Sequence, residues 1–172
     1  MMTVPLDKQR TELVVKELET SQQLIAWTLR CWFAGYHESQ SALEVIEKAF
    51  SLSGLDEAVY EVDEFCSLVA VGARYNLAIG CPNCPKLFNF ERDLITVLSH
   101  LQQDSWDSAT HILERHLGPD EAFMAGPPCF RWAREMSAAH WVINPIADTG
   151  TPVEMTNNII PFPFGGQQSS VH

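Results

Sequence analysis

Cys81-Pro82-Asn83-Cys84-Pro85 sets two thiols on either side of a Pro-Asn turn and is the one place where chemistry-bearing residue types cluster locally along the chain. Proline presets φ at the first corner and asparagine tolerates unusual backbone angles at the second, so a tight turn here brings Cys81 and Cys84 within reach of each other. Three readings follow. The pair can be half of a zinc or iron site, a redox dithiol, or a turn whose cysteines only pack or stay exposed. A tetrahedral site needs four ligands and one C-x-x-C supplies two. The rest would come singly from Cys66 or Cys129, or from His100, His111 and His116. Zinc is the metal expected in that case, and otherwise no cofactor is expected.

Other catalytic constellations are missing: there is no Gly-rich phosphate loop, no H-E-x-x-H and no G-x-S-x-G. No catalytic residue is assigned, and a non-enzymatic role is expected. The carboxylates Asp56, Glu57, Glu61, Asp63 and Glu64 read as a solvated run at a helix start. The five tryptophans read mainly as packing residues, with Trp27 and Trp32 on the first helix as candidates for lining a partner groove.

The elements that position these residues are helical. Leu13, Val14, Leu18, Leu24, Ile25, Leu29 and Trp32 recur at helical spacing and predict a long helix from about Asp7 to Ala34, capped near Gly35. Further helices are predicted over 41–52, over 56–76 from an Asp56 cap (with a short strand at 67–72 as the alternative), over 90–102 from an Asn89 cap, from 104 or 105 to 117, and over 129–143. Gly126-Pro127-Pro128 reads as a break before the last of these. The expected fold is all-α, a domain of five to seven helices in antiparallel αα-hairpins over 6–145, followed by an extended or disordered tail over 146–172. Within that tail Ile159-Ile160-Pro161-Phe162-Pro163-Phe164 is an apolar cluster, and Phe162 and Phe164 join Trp32 as candidate partner-binding residues.

Length and charge bound the rest. A chain of 172 residues with 46% hydrophobic content suits one domain with a sizeable core. Its formal charge of −11 argues against nucleic acid and anionic membrane surfaces as partners. No stretch approaches a membrane span, and the first residues lack a signal peptide's basic and apolar regions, so a cytoplasmic protein is expected. Five cysteines at irregular spacing fit reduced thiols or metal ligands better than a disulfide framework.

Several resemblances attach to these motifs. The C-P-x-C turn resembles the glutaredoxin active-site turn, but helix rather than strand precedes it here. It also resembles the C-x-x-C of the all-helical AhpD-like class, where a histidine stands four residues after the second cysteine; position 88 is Phe, which removes that proton relay. The hairpin over 90–117 resembles a tetratricopeptide-type helix pair without that family's Trp, Gly and Tyr pattern, and segment 41–50 echoes 108–117. From Trp27 through Cys81-Pro82-Asn83-Cys84-Pro85-Lys86-Leu87 to Glu91-Arg92, the chain resembles small bacterial proteins that combine a Trp-rich first helix with a C-P-x-C-P loop. That resemblance implies an all-α cytosolic bacterial protein and no particular activity.

The expectation is therefore a non-enzymatic helical adaptor or accessory subunit that binds another protein, or a second copy of itself. The alternative is a metal-binding or thiol-redox protein acting through Cys81 and Cys84.

Overall fold

Glu19 and Gln22 decide where the first helix starts. Glu19 is extended (φ −64°, ψ 155°), and its backbone N–H donates to the Gln22 side-chain carbonyl at 3.0 Å. Helix α1 then runs Thr20–His37. The spacing pattern predicts helix further upstream, yet there the backbone is engaged elsewhere. After Leu13 and Val14 the chain makes only one 3₁₀ turn, Val15–Glu17, because Val15 N–H donates to Pro85 C=O at 2.8 Å and Leu87 N–H to Leu13 C=O at 3.0 Å. A backbone group spent on the Cys-Pro loop is not available to a helix. The computed structural model describes residues 13–146, so the predicted start at Asp7 and the tail, including Phe162 and Phe164, lie outside the described residues.

α1 also passes straight through Gly35, the predicted cap, and ends two residues later. That glycine serves a close approach instead, since a Cβ there would sit 2.6 Å from Gln40 O and 2.9 Å from Ala42 Cβ. The chain reverses at Ser39 (φ 55°) into α2, Leu43–Leu52. α3 spans Ala58–Gly72, α4 Asn89–Gln102, α5 Trp106–Leu113 and α6 Pro119–Ala138. Among the described residues six α-helices around one core bear out the all-α expectation, and extended pairing there is limited to two isolated bridges, Val14 with Lys86 and Ala73 with Leu117. The strand alternative for 67–72 is thereby replaced by helix.

α3 and α6 form the most extensive helix pair, with Val62, Phe65, Cys66 and Val69 meeting Cys129, Trp132 and Met136 in one buried cluster. The Phe65 and Trp132 rings are 6.3 Å apart. This packing explains a wrong sequence expectation: Gly126-Pro127-Pro128 does not break the chain but lies inside α6, which ends at Ala138 rather than Ile143. Interior prolines cost a helix several kcal/mol through a lost hydrogen bond and a steric clash. Burial of Ala122, Ala125, Gly126, Pro128 and Cys129 on that same face opposes the cost. α5 likewise stops at Leu113, short of the predicted Leu117, because His116 is taken up by long-range bonds. Its ring contacts the Tyr75 hydroxyl at 2.5 Å and Asp93 Oδ2 at 2.7 Å, while its backbone carbonyl accepts Arg74 N–H.

Cys66 and Cys129 are free thiols with no exposure. Burial raises both thiol pKa values, and for Cys66 the charge of Asp63 adds to the effect. The native state therefore holds these protons after the unfolded chain has released them. Stability from this source is complete below the unfolded thiol pKa of about 8.5 and falls as pH rises above it, by about 1.4 kcal/mol per pH unit for each thiol. Urea titrations from pH 7 to 10.5 should show this decline, and Cys66→Ala with Cys129→Ala should flatten it. An equally steep fall in the double variant would assign the slope to other groups.

Candidate functional site

The loop between α3 and α4 is built around a buried ion pair. Arg30 of α1 is 1% exposed and Glu91 of α4 is fully buried. Arg30 Nε donates to Glu91 Oε1 at 2.6 Å and Nη2 to Oε2 at 2.8 Å, the parallel fork geometry that makes such pairs strong. The remaining guanidinium hydrogens go to the loop backbone: Nη1 to Cys84 O at 2.6 Å and more weakly to Cys81 O at 3.4 Å, and Nη2 to Lys86 O at 2.6 Å. Glu91 holds the loop from its other side, accepting Gly80 N–H at 2.9 Å and Phe88 N–H at 2.8 Å. The Phe88 contact is also what starts α4, in place of the predicted Asn89 cap, since Glu91 sits at the third helical position and reaches back to the residue before the helix.

On this frame Cys81 and Cys84 close a disulfide with Cα atoms 5.2 Å apart. The turn forms as the Pro-Asn pair predicts, with Cys84 N–H donating to Cys81 O at 3.0 Å. The Cys84 sulfur accepts the Cys81 N–H at 3.2 Å. Cys81 is exposed and Cys84 half-buried, so attack from outside meets Cys81 first. The expectation of reduced thiols holds for Cys31, Cys66 and Cys129 but not for this pair.

A groove of about 390 Å³ runs beside the loop, with Leu24, Trp27, Pro82 and Trp141 among its walls and Arg30 at its base. Trp141 is held there by its indole N–H, which donates to Ser53 O at 3.0 Å. Trp27, named from sequence as a groove residue, thus shares a groove with Pro82 of the Cys-Pro turn.

The other candidates are placed differently. Cys66 and Cys129 lie together in the α3–α6 core rather than at the loop, and no group of three or more His, Cys, Asp or Glu suited to a metal ion forms among the described residues. Trp32 is buried at 8% exposure, its indole N–H donating to Asp63 at 2.8 Å. The acidic run is not simply solvated, because Glu61 and Glu64 both pair with Arg131 at 2.7 and 2.8 Å, which raises the Arg131 pKa chiefly through its hydrogen bond to Glu61.

Sequence reading missed Arg30 and Glu91. One signal was available: Arg30 stands on the apolar stripe of α1, directly after Leu29 and close to Ala26 and Phe33, where a charge needs a buried partner. Gly80 completes the frame. A Cβ there would lie 2.7 Å from Arg30 Cζ and Nη2. Because the fork is pinned, Gly80→Ala is expected to cost roughly 1–3 kcal/mol by overpacking. A urea midpoint unchanged from wild type would show that the fork can yield.

Comparison of the chain with protein-family models, with curated proteins and with solved structures finds no match. No described helix is long and apolar enough to cross a membrane.

Proposed function

We propose that this chain is a thiol–disulfide redox protein whose Cys81–Cys84 pair exchanges electrons with the thiols of a partner protein docked in the adjacent groove. One observation carries the reading: the loop is held by Arg30 and Glu91 through its carbonyls and N–H groups, so its shape does not depend on the sulfur–sulfur bond. The bond itself closes a ring across a sequence separation of only 3. Chain-entropy arguments allow such a short ring about 2 kcal/mol of stabilisation, less than longer loops gain. A disulfide that is redundant as a staple and has one exposed cysteine suits cycling. In the cytoplasmic setting that the sequence predicts, disulfides are usually transient and catalytic.

The exchange would run as follows. A partner thiolate attacks Cys81 Sγ, the Cys81–Cys84 bond breaks, and Cys84 leaves as a thiolate while a mixed disulfide forms at Cys81. The partner's second thiolate attacks its own sulfur in that mixed disulfide and releases Cys81. The partner dithiol is oxidised to a disulfide, Cys81 and Cys84 are reduced, and its two protons pass to solvent or to the new thiolates. Run backwards, the same steps reduce the partner.

The adaptor reading keeps the groove and drops the sulfur chemistry; two tryptophans, Trp27 and Trp141, lining that groove favour it. Redox titration against glutathione separates the two. A reversible two-electron couple, with far-UV circular dichroism unchanged between end states, is expected of the redox protein. Collapse of the fold on reduction would make the bond a structural staple, and thiols that never equilibrate with glutathione would leave the adaptor.

A further inference from the structure

A second cavity, of about 340 Å³, lies on a different part of α1 and is lined by Trp32, Tyr36 and Asp63 together with the α1–α2 connection from Ser39 to Ala42 and with Leu43 at the start of α2. The Trp32 and Tyr36 rings stack nearly parallel, 13° apart with centroids at 5.3 Å, and Tyr36 is 48% exposed. Asp63 Oδ1 accepts the Trp32 indole N–H at 2.8 Å, which locks carboxylate and aromatic pair in one arrangement. A neutral acceptor would also satisfy that indole, through a weaker bond. Asp63 is half-buried, and among the described residues no cationic side chain lies against it, whereas Glu61 and Glu64 on the same helix share Arg131. A negative charge fixed beside the exposed ring of Tyr36 is complementary to an organic cation: the carboxylate attracts it, the face of that ring adds to the attraction, and partial exclusion of water strengthens both. The volume falls in the range of small-ligand sites, roughly 300–1,000 Å³.

We propose that the Trp32–Tyr36–Asp63 cavity binds an organic cation of the alkylammonium or guanidinium class. The site is separate from the disulfide and does not rest on the redox reading. Such a cation can be a free quaternary amine or the arginine side chain of a partner, and two probes tell these apart: tetramethylammonium and N-acetyl-arginine amide.

Each probe is titrated into the full chain while the Trp32 indole N–H resonance is followed by NMR. The expected result is a saturable shift with at least one probe, weakened roughly tenfold in Asp63→Asn, which loses the charge but keeps an oxygen to accept the indole N–H. Tyr36→Leu, at an exposed position, should weaken binding in the same direction and serves as the test if Asp63→Asn fails to fold. Preference for tetramethylammonium would point to a free quaternary amine, and preference for the arginine derivative to a partner's side chain. Shifts that stay linear for both probes, or saturable binding that the folded variants leave unchanged, would overturn the site.

Discussion

Arg30→Met should destabilise the fold by about 3–5 kcal/mol, the cost typical of breaking a buried ion pair by removing one partner. Two losses combine. Glu91, with no exposure, loses its cationic partner and retains only the Gly80 and Phe88 N–H groups. The Cys84 and Lys86 carbonyls lose donors that now lie at 2.6 Å. Glu91→Gln should be milder, since the amide oxygen can still accept from one N–H or from Arg30. The double variant Arg30→Met/Glu91→Leu should be less destabilised than the sum of Arg30→Met and Glu91→Leu, because it leaves no uncompensated charge, and the coupling should reach about 2 kcal/mol or more. Urea unfolding of the four proteins measures this directly. If Arg30→Met stays within about 1 kcal/mol of wild type, the ion pair does not organise the loop, and the main support for a redox-competent turn goes with it.

The two cysteines should behave unequally when replaced. Cys84→Ser leaves exposed Cys81 able to attack a disulfide but with no neighbour to resolve the product, so incubation with oxidised glutathione should accumulate a stable mixed disulfide detectable by intact-mass spectrometry. Cys81→Ser should abolish exchange at wild-type rates, because the remaining thiol is half-buried behind the turn. Neither replacement should cost much more than the roughly 2 kcal/mol that so short a ring contributes. A Cys81→Ser protein that forms the mixed disulfide as fast as wild type would reverse the assignment of the attacked sulfur. Loss of the fold in both variants would instead make the bond a staple.

Much of the architecture was legible because it depends on local periodicity. Leu43 to Leu52 and Asn89 to Gln102 form helices within a residue or two of where the apolar spacing puts them, and the Pro-Asn turn closes between the cysteines as its corner residues require. The larger errors share one cause, which is competition from partners distant in sequence. Leu13 and Val15 give backbone groups to the Cys-Pro loop and start no helix; His116 leaves α5 for Tyr75 and Asp93; Pro127 and Pro128 stay helical under the burial that α6 gains against α3.

The sequence by itself determined an all-α class, a turn that could join two sulfurs, and an acidic chain. Each follows from residue type and near-neighbour spacing, which act along the backbone without reference to the rest of the molecule. Only the tertiary structure decided that Arg30 and Glu91 meet at the base of that turn, that Trp27 and Trp141 line a groove with its Pro82, and that Cys66 and Cys129 are withheld from it in the core. Arg30 and Glu91 stand 61 positions apart. Their attraction becomes strong only where packing lowers the local dielectric, and sequence spacing carries no record of that environment.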